Sequence, residues 1–435
     1  MSPCTCPPSD SSAINGIVPD PFEEIAKEFA DTQLLPGDAA VWELRHRLES
    51  GETTDVELTD EPLSVLGTRI LQCAFQQPRQ AVRSVDLVRS VTGLDMAQLS
   101  ALVSSLPSTV ESLSLEGCEI GDGIGAVAAK FPPSLLHLSL VATGNSDFGA
   151  QALAPRLPHG LVTLVLADNQ IGPAGAQALA SRLPVNCGSL ETLVLDNNPI
   201  GDAGVAALAE ITASMHSLQS LSLANTGIGC TGAEVLARHL FSGTSGLMDL
   251  SLADNPALGD AGATALAATI DHLATLVALN LTGARISDDG MLSLAPKLPP
   301  TLEMLALSRN AIGDAGTAAL ATHMPPSLVC LHLDDNQVGD VGAVALAFRM
   351  PSSLLELQLS RNWVGDVGAV AIAKHLPPSI QELWVNGNRI GPSGIDALIE
   401  RKAAVSSLEL VQIGWQASPL IPSSASEPVE IAPSL

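Results

Sequence analysis

The chain contains no tyrosine, and aromatic residues make up only 3% of its 435 residues. Few large rings are therefore present to fill a compact core. The hydrophobic fraction is nevertheless 46%, and it consists mainly of leucine, alanine and other aliphatic residues. This composition favours a long, thin core, and hence one elongated repeat array rather than two or three ordinary domains.

Basic residues are scarce as well. Lys and Arg total 20 against 46 Asp and Glu, which gives a formal net charge of −26 at pH 7. Because a nucleic-acid backbone is bound through a basic face, this balance argues against nucleic acid as a partner. It favours a basic protein partner, which the acidic field of the chain would attract.

Signals for export and for membranes are missing. The 7 cysteines are odd in number and irregularly spaced, unlike a secreted disulfide framework. The opening residues "MSPCTCPPSDSS" lack the basic and apolar regions of a signal peptide, and no uninterrupted apolar run is long enough to span a membrane. We therefore expect a soluble, cytoplasmic protein without membrane association.

Motifs that carry catalysis or cofactors are also missing. The dipeptide Gly-Lys never occurs, so no phosphate-binding P-loop is present, and neither H-E-x-x-H nor G-x-S-x-G is found. The stretch "GIGCTG" at residues 227–232 fits the dinucleotide pattern G-x-G-x-x-G. Its second and third glycines, however, recur at the same positions of an internal repeat, which favours a structural role. We expect no enzymatic activity, no cofactor and no metal site.

The chain does contain a repeat. Eleven segments follow the pattern L-x-x-L-x-L-x-x-N, and successive starts are 25 to 29 residues apart. Such a pattern at this period is typical of leucine-rich repeats. The segments start at Val110, Leu135, Leu161, Leu190, Leu218, Leu247, Leu276, Leu302, Leu328, Leu354 and Ile380.

Each part of the repeat predicts a structural element. The alternating leucines predict a short strand, and the following "IGDAGAxALAxxLPPS" type of segment predicts an amphipathic helix. We expect the Asn at the ninth position, as in Asn362, to bond loop backbone groups of its own repeat and of the next. We expect the Asp at the start of the helical segment, as in Asp288, to cap its own helix. Basic residues near the helix ends, such as His323 and Arg401, complement the helix dipole.

The period, the helix in every repeat and the "GDxGxxxLAxxL" segments resemble the ribonuclease-inhibitor-like class of leucine-rich repeats. That class includes ribonuclease inhibitor, the repeat regions of NOD-like receptors and the Ran GTPase-activating protein. The resemblance covers roughly the 53–414 range and implies an α/β solenoid, shaped as a horseshoe with a parallel sheet on the concave side and helices on the convex side. The matching residues are nearly all structural, so the resemblance says little about function.

The sequence predicts four regions. Residues 1–17 are rich in Pro, Ser and Cys and predict a disordered tail, and residues 18–52 predict a helical N-terminal cap. The repeat domain is expected over 53–414, with about 13 repeats and a terminal strand. Residues 415–435 predict a second disordered tail.

One part of the array carries large polar and aromatic residues at positions that the repeat leaves free. Trp and Arg are frequent at binding hot spots, so this group predicts a protein-binding site. A solvated rim is the alternative, in which Arg309 and Arg361 pair with Asp334, Asp335 or Asp366 and Trp363 shields a loop. The candidate residues are Met304, Arg309, His332, Asp334, Asp335, Glu356, Gln358, Arg361, Trp363, Glu382, Trp384 and Asn386.

The sequence therefore predicts a non-catalytic interaction scaffold or regulator, a monomer, that binds a basic protein partner on its concave face. Two alternatives stay open. One is a GTPase-activating protein of the Ran type, although the long acidic run that follows the repeats in that family is missing here. The other is a sensor or adaptor subunit in an innate-immune or ubiquitin-ligase assembly, where other chains supply the chemistry.

Overall fold

The computed structural model describes residues 35–76, 82–212, 215–240 and 246–414. Strands and helices alternate along these ranges. The strands are β1 (Asp55–Thr59), β2 (Ser84–Val88), β3 (Ser112–Ser114), β4 (His137–Ser139), β5 (Thr163–Val165), β6 (Thr192–Val194), β7 (Ser220–Ser222), β8 (Asp249–Ser251), β9 (Ala278–Asn280), β10 (Met304–Ala306), β11 (Cys330–His332), β12 (Glu356–Gln358), β13 (Glu382–Trp384) and β14 (Leu410–Gln412). The helices are α1 (Pro36–Ser50), α2 (Val65–Phe75), α3 (Met96–Ser104), α4 (Ile124–Ala128), α5 (Asp147–Leu153), α6 (Pro173–Asn186), α7 (Gly201–Thr212), α8 (Cys230–Leu240), α9 (Gly259–Ala267), α10 (Asp288–Leu294), α11 (Asp314–Thr322), α12 (Asp340–Ala347), α13 (Asp366–His375) and α14 (Pro392–Ala404).

The strands form one 14-stranded parallel sheet in which every strand pairs with its neighbours in sequence. Each central strand residue, such as Leu331 or Leu357, points toward the helices and is almost fully buried, while its two neighbours point away. The core lies between the sheet and the helix layer. This is the predicted α/β solenoid, with the sheet on one side and the helices on the other.

The ninth-position asparagines are buried and bond backbone groups in two repeats. Asn362 donates through Nδ2 to Leu359 O at 3.1 Å in its own turn and to Leu333 O at 2.8 Å in the preceding repeat. Its Oδ1 accepts from the N–H of Val338, also in the preceding repeat, at 2.9 Å. The sequence had predicted contact with the next repeat, so the direction was wrong, although the function of satisfying buried loop groups agrees.

The repeat aspartates do not cap their own helices, contrary to the expectation from sequence. The N-cap of α11 is Gly313, and Asp314 is the first residue inside the helix. The carboxylate of Asp314 accepts bonds from the N–H groups of Gly339 and Gly342, both at 2.8 Å, at the start of the next helix. The aspartates thus cap the helix of the following repeat and link neighbouring repeats.

The same device joins the first described helix to the repeats. Asp38 in α1 is buried, and its Oδ1 accepts a 2.9 Å bond from the N–H of Ser64, which is the N-cap residue of α2. Helix α1 therefore packs on α2 in the way that repeat helices pack on one another.

Basic residues near the helix ends, which the sequence analysis assigned to the helix dipole, also bond backbone carbonyls. His323 Nδ1 lies 3.1 Å from Ala319 O, and His239 Nδ1 lies 2.9 Å from Val235 O. Arg401 bonds Leu376 O of the preceding repeat. These contacts place basic side chains at the carbonyl end of the helix, where a positive charge complements the helix dipole.

The division into four regions stays a prediction. Residues 1–17, the first predicted cap helix within 18–34, and residues 415–435 lie outside the described residues. In the described ranges, no helix has the length and apolar character that crossing a membrane would require.

Candidate protein-binding surface

The strand face consists of the strand side chains that point away from the helices. In the described strands it includes two histidines, His137 and His332, and no Lys or Arg. With histidine counted as neutral, its formal charges are all carboxylates. They are Asp55, Glu57, Asp86, Asp249, Glu356 and Glu382.

A row of loop residues runs along the rim of this face, one residue before each ninth position. Many adopt left-handed backbone angles, with φ of 52° at Arg361 and 53° at Asp335. Arg361 pairs with Asp335 of the preceding repeat at 3.1 Å, as the solvated-rim alternative predicted. Arg309 pairs instead with Asp254, at 2.8 Å.

The third rim arginine, Arg89, is also paired. Its Nε lies 2.5 Å from Asp60, and this hydrogen bond lowers the pKa of the Asp60 carboxyl. Each rim arginine within the described ranges thus has an aspartate of the same row as its partner. The pairs are exposed, so they add little stability, but they cancel the positive charge nearest to the strand face.

Strands β10 to β13 carry six of the twelve candidate residues. The sheet register aligns His332, Gln358 and Trp384 in one row across adjacent strands, which is the predicted arrangement. A second row aligns Met304, Cys330, Glu356 and Glu382. Adjacent strands are about 4.8 Å apart, so neighbours in a row can share one ligand.

Polar contacts join these two rows. Glu356 Oε1 accepts a 2.5 Å bond from Gln358 Nε2 and lies 3.2 Å from His332 Nε2. The indole Nε1 of Trp384 donates to Glu382 Oε2 at 3.1 Å. These bonds hold the longer side chains in defined positions before any partner arrives, which lowers the ordering cost of binding.

Burial and nearby carboxylates raise the pKa of two side chains in this region. The pKa of the Cys330 thiol rises to about 11, first because of burial and then because of the negative charge of Glu356. Cys330 is therefore a neutral thiol, not a nucleophile. Burial also raises the pKa of Asp334, which accepts a 2.7 Å bond from the Ser360 N–H.

Two candidate residues have mainly internal contacts. Asn386 accepts a 2.6 Å bond from the Ser360 hydroxyl, and its carbonyl accepts from the Arg361 N–H. Asp334 bonds the same loop. These residues shape the rim and hold its loops in place.

Trp363 lies apart from the two strand rows. It follows Asn362 on the loop toward helix α13, and its side chain is 48% exposed. The guanidinium carbon of Arg389 lies 5.4 Å from its ring centroid, a cation–π contact. Arg389 was missed by the sequence prediction, although its position is 26 residues after Trp363, at the same place in the next repeat.

The glycine stretch at 227–232 has a structural explanation. The Gly229 N–H donates to Asp202 Oδ1 at 2.7 Å. A Cβ atom on Gly232 would lie 2.5 Å from the same oxygen. The glycines therefore make room for the aspartate of the preceding repeat. In the described residues, no group of three or more His, Cys, Asp or Glu is placed to hold a metal ion.

The repeats match a known family. The model of the leucine rich repeat family matches eight segments, at residues 160–180, 186–209, 214–237, 247–267, 272–295, 299–321, 325–347 and 351–373. These segments are leucine-rich repeats. A comparison with curated protein sequences finds no match.

One solved structure with a TM-score above 0.5 has the same fold, and two others are similar at lower TM-scores. The structure of a TLR13–ssRNA13 complex is similar with a TM-score of 0.52 and 17% identity, over 84% of this chain and 53% of that one. An internalin from Listeria monocytogenes gives a TM-score of 0.48 and 16% identity, over 93% and 96% of the two chains. A Leptospira interrogans leucine-rich-repeat protein gives 0.46 and 20%, over 79% and 81%. At these identities the likeness concerns the solenoid alone, and the RNA belongs to the TLR13 complex.

Proposed function

We propose that this leucine-rich-repeat protein is a non-catalytic interaction scaffold or regulator, and that it binds a basic protein partner on the strand face. The observation that carries the proposal is the charge of that face, which has carboxylates on several strands and no Lys or Arg among its described residues. Leucine-rich-repeat proteins generally serve as protein-interaction scaffolds, which supports a protein partner over a small substrate.

The bound segment would lie across β10 to β13. There the face has its only tryptophan among the described strand residues, Trp384, together with Met304, which is 38% exposed. Tryptophan is enriched at binding hot spots, because its ring offers a large area to bury. The acidic field would speed encounter with a basic partner, and the on-rate would fall with added salt.

The remaining features belong to the same proposal. The protein acts as a cytoplasmic monomer of the ribonuclease-inhibitor-like class, and the 25 to 29 residue period with a helix in each repeat supports that class. An acidic strand face supports a protein partner over nucleic acid. No observation favours the Ran-type or the immune or ubiquitin-ligase alternative, and single-turnover GTP hydrolysis with Ran tests the first of them.

Affinity capture with matched variants tests the proposal. The site variant is R361A/W384A, and the control is F348A/R349A, which removes the same two kinds of side chain from the exposed end of helix α12. Each bait is used at low and at high salt, and its fold is checked by circular dichroism. We expect the parent and the control to retain a protein with a basic surface, and high salt to release it. The amount retained by the site variant should be lower by about tenfold or more. Equal retention by the site variant would refute the proposal.

A further inference from the structure

Glu356 and Glu382 lie directly opposite each other on adjacent parallel strands. Two carboxylates in that relation are about 4.8 Å apart at their backbones, and like charges opposed across strands destabilise a sheet. Glu356 is also largely shielded, with 25% of its side chain exposed. The arrangement thus has an energetic cost that a cation between the two groups would relieve.

Within the described ranges, no Lys or Arg of the chain pairs with either carboxylate. The imidazole of His332 lies 3.2 Å from Glu356 and forms an ion pair only when it is protonated, and Glu382 forms no ion pair with a described residue. The two rim arginines of this region are held elsewhere, Arg309 by Asp254 and Arg361 by Asp335.

The carboxylates retain acceptor capacity. The bonds from His332 and Gln358 reach Oε1 of Glu356, and the bond from Trp384 reaches Oε2 of Glu382. Each ionised carboxylate can accept several hydrogen bonds through its two oxygens, so Glu356 Oε2 and Glu382 Oε1 remain able to accept from a ligand. The Nε1 bond also fixes the indole of Trp384 beside the two carboxylates.

We propose that Glu356, Glu382 and Trp384 form an arginine subsite, which binds one arginine side chain of the basic partner. The inference rests on the proposed function and specifies which side chain of the partner this surface recognises. The guanidinium fork donates to Glu356 Oε2 and Glu382 Oε1, and its plane lies against the indole ring. A lysine ammonium is a compact, strongly hydrated point charge that cannot donate as a planar fork or stack in this way, so the subsite selects arginine over lysine.

Nuclear magnetic resonance on the full chain tests the subsite. The indole N–H signal of Trp384 is assigned from its loss in Trp384→Phe, and three peptides are titrated: acetyl-GSGRGSG-amide and its lysine and citrulline counterparts. We expect the arginine peptide to shift the Trp384 signal and to bind about tenfold more tightly than the other two. Equal affinities for arginine and lysine, or no shift of the Trp384 signal, would overturn the inference.

Charge-matched variants complete the test. E356Q/E382Q removes the two subsite carboxylates, whereas D55N/E57Q removes two strand-face carboxylates from β1, at the other end of the sheet. We expect the first variant to lose about tenfold in affinity for the arginine peptide and the second to keep it. Equal losses would indicate the general acidic field and overturn the subsite. Should E356Q/E382Q unfold, the single variants E356Q and E382Q with the same peptides give the decisive comparison, because both keep the Trp384 signal.

The two proposals fail separately. A captured basic partner that R361A/W384A loses, combined with peptides that do not discriminate, leaves the proposed function standing and refutes the arginine subsite. A captured partner that R361A/W384A retains refutes the proposed function itself.

Discussion

The carboxylate of Asp288 accepts a hydrogen bond of 2.7 Å from the backbone N–H of Gly313, although the two residues belong to different repeats. The same oxygen accepts from the N–H of Gly316 at 2.8 Å, and a Cβ atom on Gly316 would lie 2.6 Å from it. The Gly-Asp-x-Gly segment is thus one half of a contact between repeats. The aspartate bonds the helix of the following repeat, and the second glycine leaves room for the aspartate of the preceding repeat.

Loss of this carboxylate should therefore weaken the contact between neighbouring repeats. We expect Asp288→Ala to lower the free energy of unfolding by about 2 kcal/mol, because two charge-assisted bonds to helix N–H groups disappear. Asp289→Ala is the matched control, since Asp289 is the next residue of the same helix turn but is exposed. It should change stability by less than about 0.5 kcal/mol. Urea unfolding checks both, and equal losses would show that the helix dipole, not the bond to the next repeat, is the cause.

Asp288 and Gly316 should also be energetically coupled. Gly316→Ala inserts a methyl group where the Asp288 oxygen lies, so we expect it to destabilise the parent. In the Asp288→Ala background that oxygen is gone, and the same substitution should cost less. A double-mutant cycle measures the difference, which should be about 1 kcal/mol or more for groups in direct contact. Additive effects would mean that Ile312 and the local backbone, not the aspartate, exclude the side chain.

The repeat period predicted the strands, the helices and the sheet order, but not the direction in which the polar side chains reach. Asp288 in a first helical turn looks the same in sequence whether it caps its own helix or the next one. The choice depends on how two helices stack, and that is set by packing between segments about 25 residues apart. The asparagines show the same limit, since Asn362 bonds the preceding repeat and not the following one.

The buried thiols should be inert. Burial raises the pKa of Cys118 and of Cys187 to about 12, so almost no thiolate is present at pH 8. Cys230 is exposed. After brief iodoacetamide treatment of the native protein at pH 8, peptide mass spectrometry should find Cys230 alkylated and the two buried thiols unmodified. Urea-unfolded protein is the control in which all three react, and rapid alkylation of Cys118 in the native state would contradict its burial.

Asp334 should make the stability depend on pH. Burial raises the pKa of Asp334 in the folded protein, so folding favours the protonated carboxyl. The resulting contribution to stability is fully present below the unfolded pKa and is lost as the pH rises through the folded pKa. Asp334→Asn keeps an acceptor for the Ser360 N–H and removes the ionisation. We expect the variant to be more stable than the parent at pH 7.

The same two proteins at low pH provide the internal control. Near pH 3.5 the parent carboxyl is largely protonated, so the advantage of Asp334→Asn should shrink. Urea midpoints of both proteins at both pH values measure this difference in stability. A parent that is more stable than the variant at pH 7 would show that the bonds to the ionised carboxylate outweigh its desolvation.

The candidate surface was predicted in part. The row of His332, Gln358 and Trp384 follows directly from the repeat register, because residues one period apart lie on adjacent strands. The partner of Arg309 could not be predicted, since Asp254 lies two repeats earlier. A Cβ atom on Gly283, in the repeat between them, would lie 2.4 Å from Asp254 Oδ1, so the absence of a side chain there leaves room for the pair. Trp363 carried the same hot-spot signal as Trp384, but it follows the buried Asn362 and turns to Arg389 on the loop side.

Hydrogen–deuterium exchange on the complex with a captured partner tests the central claim most directly. We expect protection on binding in residues 302–310, 328–336, 354–362 and 380–388, which contain β10 to β13 and their rim loops. Helices α11, α12 and α13 on the opposite side should exchange as in the free protein. Protection confined to those helices, with unchanged exchange in the four strand segments, would contradict the account.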